Sequence, residues 1–313
     1  MPERSPSKGW THRHLLGLEE LSRDDLLTVL DLARTFKKDG RLLTDKRDTL
    51  KGKTVLLLFF ENSTRTAMSF SAAARRLSAD VVSFSKGTSS TTKGETLVDT
   101  AKNIEAMGAV DVVVIRHSAT GAPHLLARSI DASIVNAGDG SHEHPTQGLL
   151  DIFTMRERLG RVEGLKVAVV GDITHSRVAR SNIHGLVKLG ADVTVCGPAT
   201  LVPGGLKALG VTVSHDFDEI LPKMDVVNML RIQKERLAGP LLPSDREYTM
   251  LFGLTRERAA RMKKGALVMH PGPTNRGVEI APEVADGNRS VILEQVANGV
   301  AVRQAVLSLV AGT

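Results

Sequence analysis

The chain of 313 residues carries 41 Lys and Arg against 35 Asp and Glu, a net charge of +6, and 42% of its residues are hydrophobic. That length exceeds the size at which one hydrophobic core usually stops growing, so two domains are expected. The basic residues are scattered and only 3% of the residues are aromatic, which argues against a nucleic-acid-binding protein.

Cys196 is the single cysteine, which excludes an internal disulfide and a zinc site built from several thiolates. Residues 1–14 are polar and basic and lack the apolar stretch of a secretory signal. The longest strongly apolar run, residues 55–60, is too short to span a bilayer. We therefore expect a soluble, cytoplasmic protein that does not bind membranes.

Helical and strand patterns alternate through the first half of the chain. Ser22 and Asp25 have the spacing of a capping box, and apolar residues follow them at helical spacing. Residues 53–60 predict a buried strand, residues 67–77 and 97–104 predict helices, and residues 112–115 predict a second buried strand. Pro145 suits the first position of a further helix.

The alternation restarts in the second half. Strands are predicted at residues 166–170, 192–196, 211–214, 225–230 and 266–269, and a closing helix at residues 297–309. The pattern predicts two α/β domains with doubly wound parallel sheets, divided near residues 160–164. Residues 237–253 are rich in Gly and Pro and have no clear period, which is typical of a lid or of a tolerated surface loop.

The first candidate site follows the strand at residues 53–60, because ligands of open α/β sheets bind at the carboxyl ends of the strands. Ser63, Thr64, Arg65 and Thr66 lead directly into a helix there. Hydroxyls, helix-start N–H groups and a guanidinium suit an anion, although a helix cap followed by a surface Arg has the same pattern. Arg116 follows the next strand, where a surface ion pair is the alternative.

A second candidate site is the turn at residues 138–147. His144 precedes Pro145 at the positive end of the helix dipole, which discourages protonation of its ring. A neutral imidazole could donate to a carbonyl oxygen that gains negative charge. The two His in this turn could also suggest a metal, but His142 and His144 share no helical face with a third ligand, so we expect none.

The strand at residues 166–170 leads into Gly171, where a dinucleotide-binding protein carries a Gly-x-Gly-x-x-Gly turn. The second and third glycines are missing, which argues against an NAD-dependent dehydrogenase. Arg177 and Arg231 follow predicted strands, and each could bind a carboxylate. For either residue alone, a structural role is the alternative.

Taken together, these segments resemble the transcarbamoylases. Ser63-Thr64-Arg65-Thr66 after a buried strand and His144-Pro145-Thr146-Gln147 after a Gly-Asp-Gly turn are similar to the two main signatures of that family. The resemblance implies a set of carbamoyl-phosphate-binding residues, namely Ser63, Thr64, Arg65, Thr66, Ser89, Lys93, Arg116, His144, Gln147, Gly272 and Pro273. The residues implied in catalysis are Arg65, Thr66, Lys93, Arg116 and His144.

The resemblance also bears on the acceptor. Ornithine-specific members carry His-Cys-Leu-Pro and Ser-Met-Gly segments, and this chain has His270-Pro271-Gly272-Pro273 and lacks both. Residues 231–233 resemble the aspartate-specific members, although Gly272 replaces a Leu found in the best known of them. The implied aspartate-binding residues are Lys93, Arg177, Arg231 and Gln233.

The implied reaction transfers the carbamoyl group of carbamoyl phosphate to L-aspartate, giving N-carbamoyl-L-aspartate and phosphate for pyrimidine biosynthesis, without a cofactor. Ornithine or another amino acid is the alternative acceptor. Residues 1–155, joined by a C-terminal helix at about 297–313, would bind carbamoyl phosphate, residues 156–296 would bind aspartate, and the active site would lie between them. The segment that contains Ser89 and Lys93 resembles the family's loop that enters a neighbouring subunit's site, and this resemblance implies a homotrimer with shared sites. Regulatory or dihydroorotase partner chains are possible.

Overall fold

The computed structural model describes residues 9–85, 96–108, 110–232 and 244–312. The chain divides into two compact units. Unit 1 comprises Met1–Leu149 and Ala297–Thr313, and unit 2 comprises Leu150–Val296. Each unit contains a parallel β-sheet with helices between its strands, so the α/β prediction is confirmed.

Unit 1 is built on a four-stranded parallel sheet of order β4-β3-β5-β6. Its strands are β3 (Thr54–Phe59), β4 (Asp80–Ser85), β5 (Val112–His117) and β6 (Ser133–Asp139), and a short antiparallel pair, β1 (Lys37–Lys38) and β2 (Arg41–Leu42), stands apart from it. The helices are α1 (Arg23–Arg34), α2 (Thr64–Arg76), α3 (Leu97–Ala106) and α4 (Ala122–Ala127). Helix α5 (Pro145–Leu159) then leads into unit 2.

Unit 2 has a five-stranded parallel sheet of order β11-β10-β7-β8-β9. Its strands are β7 (Lys166–Val170), β8 (Asp192–Cys196), β9 (Thr212–Ser214), β10 (Val226–Met229) and β11 (Leu267–Met269). The helices are α6 (Arg177–Lys188), α7 (Phe217–Ile220), α8 (Asp245–Phe252), α9 (Arg256–Arg261), α10 (Pro282–Ala285) and α11 (Ile292–Val310).

The central strands are buried on both faces, which explains their continuous apolar runs. In unit 1, Leu56 and Leu58 of β3 share a core with Ile115 of β5. In unit 2, Val170 and Met229 belong to the core that contains the α8 aromatics. Full burial of each such side chain contributes about 1.5–3 kcal/mol to the stability of the folded state, relative to leaving it exposed. Among the described residues, no helix is long and apolar enough to cross a bilayer.

The later part of α11 belongs to unit 1, although it lies far from the rest of that unit in sequence. Asn298 Oδ1 accepts a hydrogen bond from Lys37 Nζ at 2.7 Å, and the Val310 carbonyl accepts one from Ser133 Oγ at 2.9 Å. Arg303 Nη1 donates to the hydroxyl of α2 residue Ser69 at 2.8 Å. These contacts attach α11 to elements from the beginning and middle of unit 1.

Several predicted elements need correction. The closing helix begins at Ile292, five residues before its predicted start, and β4 and β6 were not predicted. Residues 245–252, taken as part of an irregular loop, form α8. The reason is local: Ser244 caps the helix by accepting a hydrogen bond from the Glu247 N–H, and Tyr248 and Phe252 are buried. The lid prediction for residues 237–243 lies outside the described residues.

Strand order defines one crevice in each unit. The strands that follow β3 in sequence lie on both of its sides, β4 on one and β5 on the other, so the order reverses between β3 and β5. The same reversal occurs in unit 2 between β7 and β10. Loops leave such a switch point in opposite directions, and the carboxyl ends of the strands there form the usual ligand site of open α/β sheets.

Candidate active site

The segment Ser63–Thr66 lies at the switch point of unit 1, where β3 ends and α2 begins. Ser63 is the N-cap residue, but its side chain makes no capping hydrogen bond; its hydroxyl instead donates to Thr66 Oγ1 at 2.9 Å. Thr64 and Arg65 are exposed in the first turn. An uncapped helix start with hydroxyls and a guanidinium beside it is suited to bind an anion.

Arg116 lies on the neighbouring strand, opposite Phe59 in the parallel register of β3 and β5. The register of β5 against β6 is irregular between Ile115 and His117, a kind of irregularity that often re-aims a side chain next to a site. The guanidinium donates to Glu61 Oε1 at 3.0 Å and to the Ala137 carbonyl at 3.1 Å. Because its side chain is only 12% exposed, this is not a surface ion pair.

His144 occupies the position before α5, as predicted. Its carbonyl accepts hydrogen bonds from the N–H groups of Gln147 at 2.9 Å and Gly148 at 3.1 Å, so the helix starts at this residue. The His144 side chain is buried, and Gln147 is half-buried one turn later. Because β6 neighbours β5, the turn that carries His144 leaves the same edge of the sheet as Arg116.

Two buried carboxylates that were not predicted hold this turn. Asp139 accepts hydrogen bonds from Asn136 Nδ2 at 2.7 Å and from the Gly121 N–H at 2.8 Å. Glu143 accepts from the backbone N–H groups of Leu18 and Glu19 at 2.9–3.1 Å. Both acids are at most 1% exposed. The position of Glu143 inside the motif before His144 is the only sequence signal that could have marked it.

Arg177 and Arg231 lie at the switch point of unit 2, where predicted. Arg177 is the first residue of α6 and is buried, and Arg231 follows β10 and is half-buried. Gly171, between β7 and α6, has φ +132°, and a Cβ at this position would lie 3.1 Å from Leu230 Cβ and 3.2 Å from the Tyr248 hydroxyl. Only glycine therefore allows this close approach of the β7 and β10 ends.

The Gly272-Pro273 segment contains a cis peptide bond and is held by a buried histidine. His270 Nδ1 accepts a hydrogen bond from the Gly272 N–H at 2.8 Å, so its proton lies on Nε2, which contacts Glu279 Oε1 at 3.1 Å. The side chains of His270 and Glu279 are both fully buried. Gly272 and Pro273 were predicted from the sequence, whereas the His270–Glu279 pair that holds them was not.

Within unit 1, the structure brings Ser63–Thr66, Arg116, His144 and Gln147 to one edge of one sheet. Within unit 2, it brings Arg177 and Arg231 to a single switch point. The predicted residues Ser89, Lys93 and Gln233 lie outside the described residues. The unit 1 set combines cationic and hydrogen-bond donors at a helix start, an arrangement that can bind a phosphate and stabilise an oxyanion.

Comparison with known proteins matches two family models to the chain. Residues 13–157 match the carbamoyl-P binding domain of aspartate/ornithine carbamoyltransferase, and residues 163–310 match the Asp/Orn binding domain. The aspartate carbamoyltransferase catalytic subunit of Opitutus terrae is 58% identical over 303 residues, covering 97% of this chain and 96% of the relative.

Solved structures agree with these matches. Aspartate transcarbamoylase from Trypanosoma cruzi, in complex with N-(phosphonacetyl)-L-aspartic acid, is 32% identical with a TM-score of 0.87, and the match covers 97% of each chain. Ornithine carbamoyltransferase from Pyrococcus furiosus is 27% identical with a TM-score of 0.83, covering 96% of this chain and 97% of that one. The fold is thus shared by both acceptor classes, and the higher identities belong to the aspartate class.

Proposed function

Because the chain belongs to the aspartate/ornithine carbamoyltransferase family, we propose that it transfers the carbamoyl group of carbamoyl phosphate to L-aspartate, giving N-carbamoyl-L-aspartate and phosphate. The observation that carries this proposal is that the Ser63–Thr66 helix start, Arg116 and His144 lie at one edge of the unit 1 sheet. Unit 1 would bind carbamoyl phosphate, and unit 2 would bind aspartate.

The chemistry follows from the charges at this edge. The phosphate of carbamoyl phosphate binds to the start of α2 and to the guanidinium of Arg65, whose fork of donors matches phosphate oxygens. Arg116 and His144 donate to the carbamoyl oxygen. Gln147 contacts the carbamoyl nitrogen, and backbone groups of Gly272 and Pro273 complete the contacts.

The neutral amine of aspartate then attacks the carbamoyl carbon. A C–N bond forms, the carbonyl oxygen becomes an oxyanion, and donors from Arg65, Thr66, Arg116 and His144 stabilise it. The C–O bond to phosphate breaks, and the departing phosphate accepts the amine proton. Catalysis rests on positioning and electrostatic stabilisation, so this step requires no cofactor.

Two guanidinium groups favour aspartate over ornithine. Arg177 would bind the α-carboxylate and Arg231, with Gln233, the side-chain carboxylate; a planar fork matches each carboxylate in bidentate geometry. The same pair would repel the side-chain ammonium of ornithine. The 58% identity to an aspartate carbamoyltransferase catalytic subunit supports this choice.

The remaining features are proposed from the family. The enzyme acts in pyrimidine biosynthesis in the cytoplasm as a homotrimer, in which Ser89 and Lys93 of one subunit complete the site of its neighbour, with Lys93 also contacting aspartate. Regulatory or dihydroorotase chains are candidate partners of that assembly.

A direct assay tests the proposal. Purified protein is given carbamoyl phosphate with either aspartate or ornithine, and the ureido products are separated and measured. We expect N-carbamoyl-L-aspartate and phosphate in equal amounts, and at least 100-fold less citrulline, because an unpaired buried charge strongly disfavours the wrong acceptor. Citrulline as the main product would show that the acceptor is ornithine and not aspartate. The absence of both products would contradict the carbamoyltransferase assignment.

A further inference from the structure

A cluster of three potential metal ligands lies in unit 1, at the turn between β6 and α5. One ring nitrogen of His124, one of His142 and a carboxylate oxygen of Asp139 all lie within 4.8 Å of one another. The two imidazole rings contact edge to face, with their centroids 5.3 Å apart. The sequence hid this cluster because His124 belongs to α4, far in sequence from the other two residues.

Hydrogen bonds already orient the two histidines. Asp139 Oδ1 lies 3.1 Å from His142 Nδ1, so this carboxylate and this ring are already held side by side. His124 Nε2 contacts Glu20 Oε1 at 3.1 Å, and its buried Nδ1 has no hydrogen-bond partner among the described residues. Each histidine side chain is 26% exposed, so an ion could reach both from solvent.

The charge around the cluster is negative. The carboxylate of Asp139 contacts His142, and Glu143 is the next residue in the chain. Glu20 adds a further carboxylate beside His124. A place lined by carboxylates is favourable for a bound cation.

We propose that His124, His142 and Asp139 form a binding site for one divalent transition-metal ion, of which Zn²⁺ is the preferred probe. Two imidazoles and one carboxylate are a donor set that suits zinc, with Glu20 or water as a fourth ligand. Zinc bonds of 2.0–2.1 Å place tetrahedral ligand atoms about 3.4 Å apart. The ligand atoms must therefore approach by at most about 1.4 Å, which rotation of the two partly exposed rings allows.

The chain offers a matched control. His175 and Asp172 form a second His–Asp pair three residues apart, with His175 Nδ1 and Asp172 Oδ1 separated by 3.0 Å and side-chain exposures of 28% and 0%. Those of His142 and Asp139 are 26% and 0%. Within the described part of the chain, the His175 pair has no third ligand to complete a metal group.

Zinc affinity of the untagged wild-type chain is measured by competition with a chromophoric chelator. We expect one Zn²⁺ per chain, a dissociation constant at least 10-fold weaker for His124→Ala and for His142→Ala, and no change for His175→Ala. The proposal would be overturned if the wild-type chain bound no stoichiometric zinc. It would also be overturned if either His124→Ala or His142→Ala kept a zinc affinity within tenfold of wild type.

A second measurement needs no variant and holds even if a substitution disturbs folding. X-ray absorption of the zinc-loaded wild-type chain should show two imidazoles per metal at about 2.0 Å. A spectrum without imidazole scattering would also overturn the site. Both readouts are independent of carbamoyl transfer, because none of the three ligands belongs to the proposed catalytic set.

Discussion

At the scale of single residues, acidic partners hold the candidate side chains at the carboxyl edge of unit 1. Glu61 accepts a hydrogen bond from Arg116 at 3.0 Å, although only Arg116 was predicted, from its place after a strand. Asp139 and Glu143 were missed for the same reason: acidic residues are expected on the surface, and nothing local shows that backbone N–H groups will surround them. Partners that are distant in sequence become visible only in the fold.

Arg65 gives the sharpest test at this scale. Replacing Arg65 by Ala removes a guanidinium from the first turn of α2, and we expect kcat/KM to fall by about 10²–10³. Arg65→Lys should also lose activity, because a point charge replaces the planar fork. Steady-state kinetics measure both variants.

The control is Arg75→Ala, an exposed Arg in the last turn of the same helix. It should keep wild-type kinetics, and all three variants should keep the wild-type Tm because both arginines are exposed. Near-normal turnover of Arg65→Ala would contradict the phosphate assignment.

At the scale of elements, prediction succeeded where apolar runs were continuous and failed where polar residues interrupt them. The central strands β3, β5 and β7 each contain a continuous apolar run of at least four residues, β8 is mostly apolar, and all four were predicted within about two residues. Strand β4 lies at the sheet edge and is half-exposed, and β6 contains Asn136 and Asp139, which pair with each other at 2.7 Å inside the core. Because polar residues interrupt their apolar patterns, β4 and β6 are recognised as strands only from their pairing with neighbouring strands.

Glu143 links elements, and its substitution should affect stability. Its carboxylate receives three hydrogen bonds from the backbone N–H groups of Leu18 and Glu19, and it is 1% exposed. In Glu143→Gln, an NH₂ group replaces one carboxylate oxygen and faces backbone N–H groups, which are also donors. A buried hydrogen bond is lost, so the free energy of unfolding should decrease by about 1–3 kcal/mol. Urea unfolding followed by circular dichroism measures the loss.

Glu105→Gln serves for comparison. Glu105 accepts from the Asp131 and Ala132 N–H groups through one oxygen only, in a more exposed place. A glutamine at this position keeps one carbonyl oxygen as the acceptor, and water can bond to the new NH₂ group. The decrease in the free energy of unfolding should therefore be smaller than for Glu143→Gln. Equal effects of the two substitutions would contradict the role given to burial.

At the scale of the whole molecule, the two units repeat one principle with different sheets. Each places its candidate side chains where strand order reverses, Arg116 beside β3 in one and Arg231 beside β7 in the other. The alternation of strands and helices was sufficient to predict this class, because a parallel sheet requires crossovers. Assembly could not be derived from one chain's periodicity and came from resemblance alone.

The proposed sharing of sites between subunits has a quantitative consequence. Lys93→Ala and Arg65→Ala should each have strongly reduced activity alone, because each removes one half of every site. After mixing, dissociation and reassembly, about a quarter of the sites would receive both intact halves from different subunits, if the halves belong to a cyclic trimer.

Activity of the mixture is compared with that of each variant carried separately through the same reassembly. Size-exclusion chromatography with light scattering confirms the oligomer in every sample. Regain of activity supports shared sites, whereas a mixture that reassembles into trimers and stays inactive would contradict them.

The attachment of α11 to unit 1 determines the order in which the two units can be completed during synthesis. Unit 2 is complete in sequence at residue 296, whereas unit 1 needs residues 297–310, which carry Asn298, Arg303 and Val310 against its other elements. At 5–20 residues per second, the 147 residues of unit 2 delay the ribosome by roughly 7–30 s after residue 149. The unit that is begun first is therefore finished last, and its nascent sheet waits with an uncovered apolar surface during that interval.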